Sequence, residues 1–296
     1  MFVLAHLSDL HLAAPPRFTD LIGKRGLGFI NWQRGRKYLF RSEVLAAITA
    51  DVKAAAVDHI AVTGDLVNLA TTAEYARARA WLQTLGPPSE VTVIPGNHDI
   101  YVPPAKPYPA AFWGDYMRGD DGGGDAAASG DFPFLRRRGA VALIALSSAL
   151  PTAPLLATGE LGKAQLSRFA AALEATRGLF RVVLIHHPPI SPPERYLRRL
   201  VDAAAFRDVL ADKGAELVLH GHDHCFSLVW LDGPRRPIAA IGVPSASARA
   251  AHGSEDAAGY NLYRIDGAAD AWRCEMIARQ RGADGTIGEI KRQQLF

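Results

Sequence analysis

The sequence predicts an α/β fold in which two β-sheets pack face to face with helices on their outer sides. Up to about residue 224, short apolar runs alternate with amphipathic helical segments, as they do in βα units. Beyond that point the helical period disappears, and four short apolar runs separated by turn residues indicate antiparallel strands. The chain has 296 residues, of which 49% are hydrophobic, so it can bury a substantial core.

The predicted strands are mostly continuous apolar runs, which are typical of strands buried on both faces. They cover residues 2–8, 58–63, 91–94, 141–146, 181–185 and 216–219, followed by 226–231, 237–243, 260–265 and 271–277. The predicted helices cover residues 38–56, 72–85, 164–176 and 202–212. An apolar stripe from Leu39 to Val52 supports the first helix, and Gly86-Pro87-Pro88 ends the second.

We expect a single domain over residues 1–296, with irregular insertions at about 15–36 and 100–135. The first insertion mixes glycines with basic and large apolar residues. It is interpreted either as a solvated loop that packs back through Phe29, Ile30 and Trp32, or as a lid or lipid-facing surface. The second begins with four prolines and has a Gly-rich tip at 120–125, for which we expect mobility.

Composition excludes several classes of protein. A net charge of +3 is too small to indicate nucleic-acid binding. Two cysteines, Cys225 and Cys274, are too few for a disulfide framework or a thiolate metal site. No apolar run reaches about 18 residues, and no basic region precedes an apolar core at the N-terminus. We therefore expect a cytoplasmic protein without a membrane span or signal peptide.

Side chains that can bind metals follow five of the predicted strands. The five turns are Asp9-x-His11, Gly64-Asp65, Gly96-Asn97-His98-Asp99, His186-His187 and Gly221-His222-x-His224. Ligands of open α/β sheets bind beyond the carboxyl ends of the strands, so these turns can meet in one crevice. The glycines before Asp65, Asn97 and His222 allow a sharp turn and a close approach to a ligand. Each motif alone also fits an ordinary turn or cap, but the whole set favours a metal site.

The donor set indicates two metal ions. It supplies imidazole, carboxylate and carboxamide groups, which suit Mn, Fe or Zn, with Mg less favoured. Seven ligands exceed the protein shell of one ion, so we expect two ions and a bridging carboxylate. Two such ions clamp the attacking and leaving oxygens of a displacement at phosphorus. The seven expected ligands are Asp9, His11, Asp65, Asn97, His186, His222 and His224.

From Asp9 to His224, the five motifs resemble those of the calcineurin-like metallophosphoesterases. The resemblance implies a four-layer α/β/β/α sandwich with two mixed sheets and a dinuclear centre of divalent or trivalent ions. It assigns one metal to Asp9, His11, Asp65 and His224, and the other to Asp65, Asn97, His186 and His222. It makes Asp65 and His98 catalytic, with His98 at the substrate phosphate, stabilising the transition state or protonating the leaving oxygen. The family's His-x-Pro spacing selects His186 over His187.

Within the family, the Gly-Asn-His-Asp and His-Gly-His-x-His forms most resemble the bacterial class III cyclic-nucleotide phosphodiesterases. The Asp-Arg-Gly element of protein phosphatases does not follow Asp65, which argues against phosphoprotein substrates. The resemblance implies direct hydrolysis of a small phosphodiester, such as a cyclic nucleotide, by a hydroxide that bridges the metals.

Other functions stay open. The basic, aromatic stretch at 22–41 favours a pyrophosphohydrolase or phosphodiesterase acting on a nucleotide-lipid or phospholipid at a membrane surface, where Arg34, Arg36 and Lys37 would meet acidic head groups. A non-catalytic binding module on the same fold is expected to have replaced ligands, and none of the seven is missing. No nucleic-acid partner is expected, and an oligomer is not excluded.

Overall fold

The computed structural model describes residues 1–120 and 132–296, and within them the chain forms twelve strands and seven α-helices. The strands are β1 (Phe2–Leu7), β2 (His59–Val62), β3 (Val91–Val93), β4 (Phe134–Arg138), β5 (Val141–Ala145), β6 (Phe180–Leu184), β7 (Leu217–His220), β8 (Ser227–Leu231), β9 (Ile238–Gly242), β10 (Gly259–Asp266), β11 (Arg273–Arg281) and β12 (Ile287–Gln294). The helices are α1 (Lys24–Asn31), α2 (Lys37–Leu39), α3 (Ser42–Ala54), α4 (Thr72–Leu85), α5 (Tyr108–Trp113), α6 (Gly162–Ala175) and α7 (Ala203–Lys213).

The strands form two mixed sheets, as predicted, and each sheet has six strands. The first sheet has the order β12-β11-β10-β1-β2-β3, with β1 to β3 parallel and β10 to β12 antiparallel. The second has the order β4-β5-β6-β7-β9-β8, with β5, β6, β7 and β9 parallel and antiparallel strands at both edges. The central parallel strands are buried along their whole length, which explains their continuous apolar sequences.

Packing confirms the four-layer order. Alternate residues of the second sheet, such as Leu143 and Val182, share a core with the first sheet and with α3 and α4. The intervening residues, such as Val183, form a separate core with Phe169 of α6 and Phe206 of α7. Because successive strand residues point to opposite faces, each sheet of this sandwich has a sheet on one side and helices on the other.

The structure corrects the prediction that residues 15–36 are irregular. Here α1 runs into a π-helical turn (Trp32–Arg36) that continues into α2. The single helix predicted over 38–56 is interrupted at Phe40, which forms a bridge with Ala248. The glycines of this segment weaken its helical signal, and tertiary contacts supply the missing stability. That the segment is an insertion into a single domain stays a prediction.

The described residues between 100 and 135 are also more ordered than expected, because they contain α5, two 3₁₀ turns and the start of β4. The predicted tip at 120–125 lies outside the described residues except for Asp120.

Strand β12 was not predicted because it is polar and exposed, as an edge strand often is. None of the described helices is long and apolar enough to cross a membrane.

Candidate metal centre

The five predicted turns come together where the two sheets meet. Those after β1, β2 and β3 belong to the first sheet, and those after β6 and β7 belong to the second. Short backbone bonds tie them together, from Asp9 N to Gly64 O (2.9 Å) and from Gly221 N to His186 O (3.2 Å). All seven expected ligands are buried, and Asn97 is the most exposed of them at 6%.

Asp9, His11 and His224 form a first group of ligand atoms. The Nε2 atoms of the two histidines lie 3.0 Å apart, and Asp9 Oδ1 lies 3.2 Å from His224 Nε2 and 3.9 Å from His11 Nε2. Asp9 Oδ2 accepts a hydrogen bond from the His222 amide at 2.9 Å, which fixes the carboxylate plane. Three donor atoms therefore converge within the space of one ion.

Asp65, His186 and His222 form the second group. His186 Nε2 lies 3.5 Å from Asp65 Oδ2 and 3.3 Å from His222 Nδ1. Asn97 Oδ1 lies 3.2 Å from the same His186 nitrogen, which adds a carboxamide oxygen. The structure thus brings together the four residues expected to bind the second metal.

Asp65 lies between the two groups. Its carboxylate belongs to the second group and also lies within 4.8 Å of the ligand atoms of His11 and His98. Its Oδ1 accepts a hydrogen bond from the His98 amide at 2.7 Å. This position is the one that a bridging carboxylate requires.

The outer nitrogens of three of the four expected ligand histidines are already bonded, whereas His11 Nδ1 is buried without a partner among the described residues. His186 Nδ1 donates to Thr63 O (2.7 Å), His222 Nε2 to Arg198 O (2.9 Å), and His224 Nδ1 to Glu255 Oε2 (3.0 Å). In the neutral tautomers that these bonds select, the inner nitrogens offer lone pairs to the centre. The residues present therefore fit two metal ions.

The electrostatics of the site also suit cations. Burial alone would lower the pKa of His186, but Asp65, its hydrogen bond and Asp9 raise it to about 9. His224 behaves in the same way, because Asp9 and Glu255 outweigh burial and raise its pKa to about 9. The pKa of Asp65 is held well below its usual value by His186 and His98, against the effect of burial. Two buried carboxylates thus draw positive charge into the centre.

The backbone is shaped around the ligands. Five of the seven have positive φ values, a region that non-glycine residues rarely adopt: Asp9 (55°), His11 (48°), Asp65 (54°), His222 (70°) and His224 (55°). A Cβ at Gly96 would collide with the Asp65 carboxylate, and one at Gly221 would collide with Ser8 and Asp9. The glycines that the sequence marked as close-approach positions are therefore required at those places.

His98 and Asp99 lie beside the ligands in different roles. His98 Nδ1 donates to Asn68 O at 2.6 Å, and its ring stacks on Tyr101 with centroids 5.3 Å apart. Asp99 accepts hydrogen bonds from the amides of Gly96 (2.8 Å) and Val67 (3.0 Å), so it holds the turn together.

His187 belongs to neither ligand group found among the described residues, although its ring packs 4.4 Å from that of His222. Its Nδ1 lies 2.7 Å from Ser148 Oγ and its Nε2 lies 3.1 Å from Ala157 O, so both nitrogens have structural partners. His186 is the histidine of this pair that faces Asp65. Cys225 belongs to none of the ligand groups found among the described residues.

Two functional candidates escaped the sequence interpretation. Glu255 orients His224 from a loop 31 residues further along the chain, and no motif marks it. Arg36 was assigned to lipid head groups, yet its guanidinium reaches His98 Nε2 (3.2 Å) and His11 Nε2 (3.3 Å). Its place in a segment expected to be a loop hid this contact.

A cavity of about 220 Å³ opens beside His11. Trp32 and Phe40 contribute aromatic walls, and Lys37, Arg41 and Arg77 contribute positive charge. His11 is the only expected ligand that lines this partly aromatic recess, which is built largely by the segment around α2 and also includes Glu43, the ion-pair partner of Arg41.

Comparison with known proteins supports the same picture. A family model for calcineurin-like phosphoesterases matches residues 2–226. A search of curated protein sequences finds no match. Among solved structures, a dimetal phosphatase from Danio rerio is similar with a TM-score of 0.57 and 12% identity, over 99% of this chain and 98% of that chain.

Two further structures are similar over about half of their own length. Purple acid phosphatase PPD1 from yellow lupin (Lupinus luteus) has a TM-score of 0.63 and 10% identity, over 99% of this chain and 53% of that chain. NAD nucleotidase from Haemophilus influenzae has a TM-score of 0.50 and 11% identity, over 98% of this chain and 53% of that chain. At these identities the similarity shows a shared fold.

Proposed function

Since the chain belongs to the calcineurin-like phosphoesterases, we propose that it is a dinuclear-metal phosphodiesterase that hydrolyses a small phosphodiester such as a cyclic nucleotide. The observation that carries the proposal is the convergence of two groups of donor atoms on Asp65. Mn, Fe or Zn suits these donors better than Mg. One ion would be held by Asp9, His11, Asp65 and His224, and the other by Asp65, Asn97, His186 and His222.

When bound, the two cations supply an activated water nucleophile and neutralise charge on the phosphoryl oxygens. The chain's own contribution is preorganisation, because Asp65 ties the two groups together and outer hydrogen bonds fix the imidazoles of His186, His222 and His224. These side chains are positioned before substrate arrives.

His98 can donate from Nε2 only as an imidazolium, because its Nδ1 already donates to Asn68 O. Burial lowers the pKa of His98 to about 4, with Asp65 opposing and Arg36 reinforcing that shift. A phosphate anion at Nε2 would favour the protonated ring. Both roles inferred for His98, stabilising the transition state and protonating the leaving oxygen, therefore depend on substrate raising its pKa.

The recess beside His11 supports a nucleotide-like substrate. Trp32 and Phe40 offer surfaces for a planar base, and Lys37 and Arg77 offer charge for an anionic group. The missing Asp-Arg-Gly element after Asp65 is a further argument against a phosphoprotein substrate.

The test combines metal analysis with two chromogenic substrates. We expect about two ions per chain, and faster hydrolysis of bis(p-nitrophenyl) phosphate than of p-nitrophenyl phosphate, followed by turnover of a cyclic nucleotide. Preference for the monoester would contradict the phosphodiesterase assignment. Protein that retains no metal and stays inactive after Mn or Fe addition would favour the binding module.

Exposed apolar side chains in the segment before α1 and in a loop beside α1 favour a lipid-linked substrate as the second candidate. Phe18 is 92% exposed, Ile22 78% and Leu155 91%. Lys24 Nζ bonds Thr152 O at 3.0 Å, so α1 and the loop that carries Leu155 are neighbours. Exposed apolar side chains on these neighbouring segments suit a membrane face.

This candidate is tested with Phe18→Ser/Ile22→Ser/Leu155→Ser, which leaves Arg36 and the ligands in place. If the substrate is lipid-linked, the triple variant loses flotation with anionic liposomes and keeps its activity on bis(p-nitrophenyl) phosphate. A parent protein that does not float with these liposomes would contradict it.

A further inference from the structure

Arg36 is an unexpected cation at the centre. It ends the π-helical turn, a distortion that often marks functional sites, and its side chain is half-buried. One terminal nitrogen donates to His98 Nε2 at 3.2 Å, and the other donates to His11 Nε2 at 3.3 Å. The guanidinium also lies over the Phe40 ring, 5.1 Å from its centroid.

The fold holds this guanidinium in place from both ends of its segment. At the N-terminal end, Arg25 donates to Leu69 O (2.9 Å) and Ala70 O (2.5 Å). At the C-terminal end, Arg249 N donates to Leu39 O at 2.8 Å. In between, Gly28 packs so closely that an added Cβ would lie 2.7 Å from the Tyr101 hydroxyl. Tertiary contacts on both sides therefore fix the segment that carries Arg36, unlike the backbone of a mobile surface loop.

The contacts of Arg36 lack an anion. In residues 1–120 and 132–296, its polar partners are the two imidazoles, and no carboxylate forms an ion pair with it. A guanidinium has five N–H donors in a planar fork that matches phosphate oxygens, and here at least three remain for a ligand. His11 Nε2 is also an expected metal-ligand atom, so it cannot accept a hydrogen bond from Arg36 while it binds a cation. With a metal bound, the guanidinium would therefore be free to bind an anion.

We propose that Arg36 binds a non-bridging oxygen of the substrate phosphate, beside His98 and on the side of the centre where His11 lies. The inference rests on the proposed function, because it takes the phosphoryl group to lie at the metal centre. It makes the helical segment 24–39 a part of the active site that supplies substrate affinity.

The test is binding of inorganic phosphate to the metal-reconstituted protein by titration calorimetry, with metal content measured in parallel. Arg36→Gln is expected to weaken phosphate binding about 10- to 100-fold, the range for a hydrogen bond to a charged group. Metal content should not change. Arg36→Lys should recover part of the affinity, because the charge returns without the fork.

Arg34→Gln is the matched control, since it removes the same charge from the same segment at an exposed position. It should leave phosphate affinity within about twofold. Equal phosphate affinity in Arg36→Gln and the parent would overturn the inference, as would an equal loss in both variants. A parent without metals would contradict the proposed function separately, and phosphate binding to the protein as purified would then decide the role of Arg36.

Discussion

At the residue scale, the centre depends on backbone conformations that side chains alone do not explain. Five expected ligands have positive φ values, and the glycines beside them leave room for carboxylates. Such conformations are unfavourable and persist only when surrounding contacts enforce them. The turns are therefore as important to the site as the ligands they carry.

Gly96→Ala should remove metal binding while leaving a folded chain. The new Cβ would lie 2.5 Å from Asp65 N and collide with its carboxylate, so the shared ligand must move. We expect metal content to fall from about two ions to below one, measured by plasma mass spectrometry. Gly288→Ala is the control, because a Cβ there meets nothing within 4 Å. Full metal content in Gly96→Ala would contradict this account of the turn.

Glu255→Gln should weaken the metal site without touching a ligand. Glu255 Oε2 accepts from His224 Nδ1 at 3.0 Å, and loss of such a partner typically costs 10- to 100-fold in metal affinity. A competition assay with a chelating dye would measure the change. Glu174→Gln, at an exposed ion pair with Arg177, should bind metal like the parent. Identical affinities in all three proteins would rule out an orienting role for Glu255.

At the element scale, the sequence predicts elements well where local signals and burial agree. Helix α4 has the predicted bounds, because Thr71 and Glu74 form a capping box and Gly86-Pro87-Pro88 stops it. Helix α1 was missed because its glycines disfavour helix and its stability comes from Tyr101 and Leu69, which are distant in sequence. The seven expected ligands belong to short local motifs, so the sequence could mark them. Arg36 and Glu255 have no local motif, and their contacts with the centre became visible only in the tertiary fold.

A buried ion pair joins the starts of the two strands that carry His186 and His222. Arg181 Nε lies 3.0 Å from Glu216 Oε2, and the side chains are only 9% and 7% exposed. Glu216→Ala leaves this guanidinium buried without its partner, which should lower the free energy of unfolding by about 3–5 kcal/mol. Urea unfolding of the metal-free protein would measure it.

The exposed pair between Arg292 and Glu289 is the comparison for that change. Glu289→Ala should lower the free energy of unfolding by less than about 1 kcal/mol, because water screens both charges. An equal decrease in the free energy of unfolding in both variants would show that the buried Arg181–Glu216 pair contributes no more to stability than an exposed pair.

At the scale of the whole molecule, the centre joins the two sheets. Asp9, Asp65 and Asn97 come from the first sheet, and His186 and His222 come from the second. Ions bound there should therefore stabilise the whole sandwich, by about 2.7 kcal/mol for each ion at a free metal concentration one hundred times its Kd. The size of the effect should depend on pH.

Added Mn²⁺ should raise the melting temperature more at pH 8.5 than at pH 6.5. His186 and His224 have pKa values raised to about 9, so below that pH the folded protein holds protons that a metal must displace. In the metal-free protein, protonation of these two histidines stabilises the folded state. This contribution is fully present below pH 6.5, the pKa of histidine in the unfolded chain, and it is lost as the pH rises through 9. Scanning fluorimetry with and without EDTA would measure both trends. A metal-induced shift that is larger at pH 6.5 would show that these histidines are not ligands.

The central claim is that one carboxylate, Asp65, is shared by two metal ions. Anomalous diffraction from crystals grown with Mn²⁺ tests it most directly. We expect two anomalous peaks about 3.5–4 Å apart, one on each side of the Asp65 carboxylate and both in contact with it. A single peak, or two peaks that leave Asp65 without a bound ion, would contradict the account.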